Sequence, residues 1–206
     1  MQSRRLILAA VVFCSTATSW VAFAGSPAGK GDEVAVTISG GHDTEGVDHG
    51  RPVVLVAAGL GVPSAVFREA FSHVHPAPPG EQPTEDRTRE NKQALMKALG
   101  KYGVTNDRLD EVSNYYRYRR DKGELWTHAD ASAIATIENG KVVRITVTDP
   151  GAGYSSPPTI TVPDHPEVRL VAKVAYGKDL KTNGSIAAIT IGDTTTQPTT
   201  KPATGD

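Results

Sequence analysis

The chain predicts an α+β protein: a small helical subdomain built from two helix-turn-helix units, followed by an antiparallel β-hairpin repeat unit. Three observations predict it. Apolar residues recur at helical spacing through residues 51–117, the pattern changes to alternation after residue 131, and NGKVVRITVTD (139–149) returns as NGSIAAITIGD (183–193).

The helices come first. In RPVVLVAAGL, Pro52 takes the first helical position, where its missing N–H is no loss, although VVLV alone reads equally as a buried strand. PSAVFREAFSHV carries Val66, Ala70 and Val74, with Phe67 and Phe71, on one broad apolar face. TEDRTRENKQALMKALGKYG has Thr84 as N-cap, Glu85 and Asp86 in the first turn, Leu95, Leu99 and Tyr102 on one face, and Gly103 as its stop. TNDRLDEVSNYY is capped by Thr105 or Asn106 and striped by Leu109, Val112 and Tyr116. GVPSAVFREAF (61–71) and GVTNDRLDEVS (103–113) align on Gly, Val and Glu, so the region reads as two copies of helix, Gly-Val turn, helix spanning 45–118.

The β unit spans 124–193. ASAIATI, the turn Asn139-Gly140 and KVVRITVTD form a hairpin signal, because Asn-Gly tolerates the positive φ of a type I′ turn. TITV (159–162) follows as a third strand. Residues 25–44 read as a linker with room for a short strand, and 194–206 as a Thr/Pro-rich tail that buries too little apolar surface to order itself.

Residues 1–24 read as a cleaved signal peptide: Arg4 and Arg5, an apolar run from Leu6 to Cys14, and Ala22-Phe23-Ala24 before Gly25. That run falls well short of the roughly 20 apolar residues that span a bilayer, and no other segment reaches that length. The expected protein is therefore exported, periplasmic or extracellular. Cys14 is the only cysteine, so the mature chain has no disulfide, thiol nucleophile or zinc knuckle. The net charge is −1, and removing Arg4 and Arg5 makes it more negative, which argues against a nucleic-acid partner.

Two stretches could carry function. In GGHDTEGVDHGRP (40–52), His42, Asp43, Glu45, Asp48 and His49 offer imidazole and carboxylate donors for Zn²⁺ or Ca²⁺, at a spacing that matches no standard zinc or EF-hand motif. The competing reading is a polar loop in which Asp48 caps the next helix. His73 and His75 would join a metal site only if the fold carried them to His42 and His49. In NYYRYRRDKGELW (114–126), Tyr115, Tyr116 and Tyr118 interleave with Arg117, Arg119 and Arg120 before Trp126. Such a mixture stacks on rings and grips anionic groups; Asp121-Lys122-Gly123 reads as the turn of a hairpin that would set alternate residues on one side. Tyrosines bridging the helical and β halves beneath solvated arginines are the plainer alternative.

Asp149-Pro150-Gly151-Ala152-Gly153-Tyr154, with Pro157-Pro158 and the following Ile160-Thr161-Val162, resembles the G-x-G-Y-x-x-x-P β repeat of phage tail and bacterial surface proteins. That resemblance implies scaffolding or a binding surface. The stretch from VTISGGHDTEGVDHGRP through GVTNDRLDEVSNYYRYR is similar to the common core of a family of secreted bacterial proteins of unknown function, a resemblance that implies no activity.

There is no G-x-S-x-G elbow, H-E-x-x-H or phosphate loop. The sequence thus favours an exported, non-enzymatic binding or structural module of the cell envelope, with no cofactor and an envelope protein or polysaccharide as partner. The alternative is a divalent-metal-dependent envelope hydrolase using the His42 to His49 cluster, with Zn or Ca bound.

Overall fold

The computed structural model describes residues 31–75, 77–78 and 81–192. The expected signal peptide (1–24), the first part of the linker and the Thr/Pro-rich tail lie outside the described residues. The chain is α+β. Strands β1 (Asp32–Ala35) and β2 (Thr37–Ser39) precede helices α1 (Val53–Leu60), α2 (Ser64–Ser72), α3 (Glu85–Leu99) and α4 (Asn106–Tyr115); β3 (Ser132–Glu138), β4 (Lys141–Asp149), β5 (Thr159–Thr161), β6 (Leu170–Ala175) and β7 (Ser185–Ile191) follow.

The helix boundaries obey capping chemistry. Thr84 and Thr105 each accept a hydrogen bond through Oγ1 from the N–H three residues on, Arg87 at 3.3 Å and Arg108 at 3.2 Å. Pro52 sits one position earlier than expected, as the residue flanking α1 rather than its first. The chain reverses into α2 and α4 through Gly61 and Gly103, both left-handed, and buries Val62 and Val104 directly after them. The periodic faces make one core, in which Leu55, Leu99 and Val112 are fully covered with Phe67, Ala70, Leu109 and Tyr116 around them, but Tyr102, expected beside Leu95 and Leu99, falls in a 3-10 turn after α3 and is exposed.

The strands form antiparallel pairings: a three-stranded sheet in the order β1-β3-β4, and the pairs β2-β5 and β6-β7. Asn139 and Gly140 both have positive φ, 50° and 73°, as a type I′ turn requires. The second Asn-Gly does something different. Asn183-Gly184 also leads into a strand, β7, but its partner β6 ends at Ala175, so residues 176–184 form a long loop rather than a tight hairpin. Residues 32–39, where the sequence left room for one short strand, supply two that pair with β3 and β5.

Loop 176–184 joins the helices to the strands. Leu180 inserts into the helical core, close enough to Gly59 that a Cβ there would lie 2.9 Å from it. Asn183 is fully buried. Its amide nitrogen donates to the Leu55 carbonyl at 2.8 Å and the Tyr116 hydroxyl at 2.9 Å, and its amide oxygen accepts from Gly177 N–H at 3.1 Å. Arg108 of α4 donates to the carbonyls of Gly59 and Lys178, holding the end of α1 against the same loop. The sheet core of Tyr154, Ile160, Ala172 and Ile186 packs beside these contacts, and Trp126 links across by donating Nε1–H to the Gly153 carbonyl at 2.8 Å.

Replacing Asn183 by Ala takes a partner from the buried Leu55 carbonyl and Tyr116 hydroxyl, and from the N–H of exposed Gly177; a buried group left unpaired costs about 1–3 kcal/mol. Urea denaturation of Asn183→Ala should show a loss of about 2 kcal/mol or more; a loss below about 0.5 kcal/mol would mean that the Asn183 amide does not hold the loop to the helical core.

Candidate functional site at the tyrosine and arginine junction

The His42 to His49 cluster does not gather. Among the described residues, no three His, Cys, Asp or Glu side chains are placed to hold a metal ion. Asp48 is buried and bound bidentate by Arg68 of α2, at 2.7 and 2.8 Å, and Glu45 meets the same guanidinium at 2.9 Å. These bonds, with Asp48 first, raise the Arg68 pKa. Asp48 is therefore the anchor of α2 and not the cap of α1, whose flanking Pro52 makes no side-chain cap bond. Asp43 turns toward Ser156. His49 is exposed in a left-handed turn, its N–H donates to the Gly46 carbonyl and its own carbonyl accepts from Arg120. His73 lies 3.5 Å from Glu69 of its own helix, and the backbone of His75 is tied to the Asn91 side chain. His42 instead meets His128, a partner that no local motif announces.

The junction divides by side-chain direction. Asp121-Lys122-Gly123 is not a hairpin turn: Arg120–Lys122 form a 3-10 turn closed by left-handed Gly123, and no strand flanks it. Tyr116 ends α4 inside the helical core, where burial, only partly offset by the Asn183 bond, pushes its phenol up to about 12. Trp126 is 2 % exposed and cannot serve as a stacking platform. Tyr115 is half-buried, packed edge-on against Tyr116. Tyr118 is half-buried beside Trp126, and its hydroxyl donates to the Gly50 carbonyl; burial raises its pKa. Tyr116 and Trp126 thus lie in the helical core, with Tyr115 and Tyr118 packed against it.

The arginines face outward onto a groove of about 1090 Å³. Its floor includes Val53, Val56, Phe67 and Phe71; its rim carries Arg51, Arg117, Arg119, Arg120 and Lys122. Arg119 is neutralised by Glu124, which also accepts from its backbone N–H. Arg51, Arg117 and Arg120 are different. Arg51 stacks 4.8 Å from the Phe71 centroid and donates to the Asp48 carbonyl; Arg117 donates to the Asn114 side-chain oxygen, and Arg120 to the His49 carbonyl. All three are held by neutral acceptors, and among the described residues none makes an ion pair. Among the described residues, Glu81 and Asp121 are the only acids in the lining. The groove is therefore cationic with an apolar floor, in a chain whose net charge is negative.

No family model, curated protein or solved structure matches this chain. Fixed guanidinium forks over an apolar floor suit carboxylate or phosphate groups carried on a larger partner, because each fork offers two parallel donors. Sequence singled out Arg117, Arg119 and Arg120 but not Arg51, Lys122 or the phenylalanine floor, which only the fold brings beside them.

Arg68→Ala should strand the buried Asp48 carboxylate. Because Arg68 stays partly exposed, the expected loss is about 2 kcal/mol, below the 3–5 kcal/mol typical of a fully buried pair. Thermal or urea unfolding reads it; an unchanged midpoint would show that Asp48 is solvated without its partner.

Proposed function

We propose that the protein is an exported, non-enzymatic binding module of the cell envelope, and that its contact surface is the cationic groove between α1, α2 and residues 116–122. The observation that carries this reading is the set of three guanidiniums, Arg51, Arg117 and Arg120, held in place without a carboxylate. Arginines placed this way gain most from an anionic partner, and steering toward it adds to the rate of encounter. The volume of about 1090 Å³ lies at or beyond the upper end of small-molecule pockets, about 300–1,000 Å³, and fits an extended segment of protein or polysaccharide.

The test is retention on envelope fractions. The unaltered protein should be retained at low salt and released as ionic strength rises toward about 1 M, where the Debye length is roughly 3 Å. Arg117→Glu with Arg120→Glu should lose most retention while melting as before, since both side chains are exposed. Digesting the fraction with protease or with glycan hydrolases beforehand separates a protein partner from a polysaccharide. Equal retention of the double variant would sink the proposal.

A further inference from the structure

The groove makes no use of His42. Its ring stacks on Tyr154, with centroids 5.3 Å apart and planes at 23°, and stands edge-on to Trp126 at 5.9 Å and to His128 at 4.8 Å. Nε2 is sealed from solvent and has no hydrogen-bond partner among the described residues. The loop carrying it is fastened to the turn after β4. The Gly41 carbonyl accepts from Ser155 N–H at 2.9 Å and Ser156 N–H at 3.1 Å, Asp43 N–H donates to Ser156 Oγ at 3.1 Å, and Ser155 Oγ donates to the Asp43 carbonyl at 2.7 Å. A Cβ at Gly41 would come within 2.5 Å of the Tyr154 ring, so loop and ring are in tight contact.

This is the seam between the two cores. Tyr154 belongs to the sheet core, receives Ala131 N–H on its hydroxyl at 2.9 Å and bonds Gly184 through its own N–H at 3.0 Å; Trp126 belongs to the helical core. A neutral imidazole tolerates the site, since its only debt is one unpaired nitrogen. An imidazolium does not. It would point an N–H at no acceptor, in a place closed to water and beside a second imidazole.

The titratable groups facing it are His128 and Asp130 from segment 127–131, Asp43 from its own loop and the Tyr154 phenol. The two carboxylates, and the aromatic faces, favour the cation. Burial outweighs them, with His128 adding to it, and holds His42 below the usual 6.5. The unfolded chain therefore takes up this proton first as pH falls. The stability that neutral His42 confers is complete above 6.5 and is lost progressively below it.

We propose that His42 is an acid-operated latch: its protonation frees loop 40–43 from the 154–156 turn and from Trp126, loosening the seam between the helical and sheet cores. The same loop runs on into His49 and Gly50, whose carbonyls hold Arg120 and Tyr118, so the latch sits directly upstream of one wall of the groove.

The test combines melting with a histidine NMR titration of the full chain, from about pH 7.5 to about pH 5, the interval in which histidine changes charge. The His42 ring should titrate below 6.5, and the melting temperature should fall by several degrees over the same interval. His42→Phe keeps the stack without the proton, so its melting temperature should fall by less than half as much. If that variant fails to fold, His128→Gln serves instead: removing the neighbouring imidazole should move the His42 titration upward and shrink the fall. A His42 ring that titrates at or above 6.5, or an equal fall in His42→Phe, overturns the proposal.

Discussion

The structure depends on the side-chain amide of Asn183. Among the described residues it is the one buried polar side chain that bonds α1, the end of α4 and its own loop 176–184 at once, through Leu55, Tyr116 and Gly177. A buried amide is costly unless its donors and acceptor are paired, so this one fixes the three segments to one another with little tolerance. The adjacent Gly184 shows how close the approach is. A Cβ there would lie 2.6 Å from Leu55 Cδ2 and from the Tyr154 carbonyl oxygen, and the residue needs φ of 74°. No other residue type fits both demands. The second Asn-Gly of the repeat has thus exchanged a hairpin turn for a joint between two cores.

That joint organises the groove. Tyr116 is drawn inward by Asn183, and the chain leaving α4 then alternates: Arg117 outward, Tyr118 half inward against Trp126, Arg119 outward. An inward tyrosine sets the direction of the arginine beside it. The Asp48 to Arg68 pair serves the opposite wall by fixing the short turn that leads to Arg51 and Gly50. Cations on both walls are therefore positioned by buried groups, which is what a rigid recognition surface requires.

Much of the fold was legible because it is local. Caps at Thr84 and Thr105, stops at Gly61 and Gly103, and the Asn139-Gly140 turn are each decided by a few neighbouring residues, and the structure uses each of them that way. What escaped the sequence is long-range. β2 finds β5 more than a hundred positions away, Asp48 finds Arg68 and not its own helix, and His42 finds His128 and not His49. The hairpin expected around Lys122 failed because the Arg119 to Glu124 pair and a 3-10 turn close that loop without strands. Of the junction, the residue types were visible; which of them face inward followed only from Asn183.

The most direct measurement is a double-mutant cycle between Asn183→Ala and Tyr116→Phe, read by urea unfolding. If the amide and the phenol act as one joint, the coupling energy should be about 1–2 kcal/mol, because either change alone already forfeits their shared bond. Strict additivity, within about 0.3 kcal/mol, would contradict the account and show that the amide and the phenol do not act as one joint.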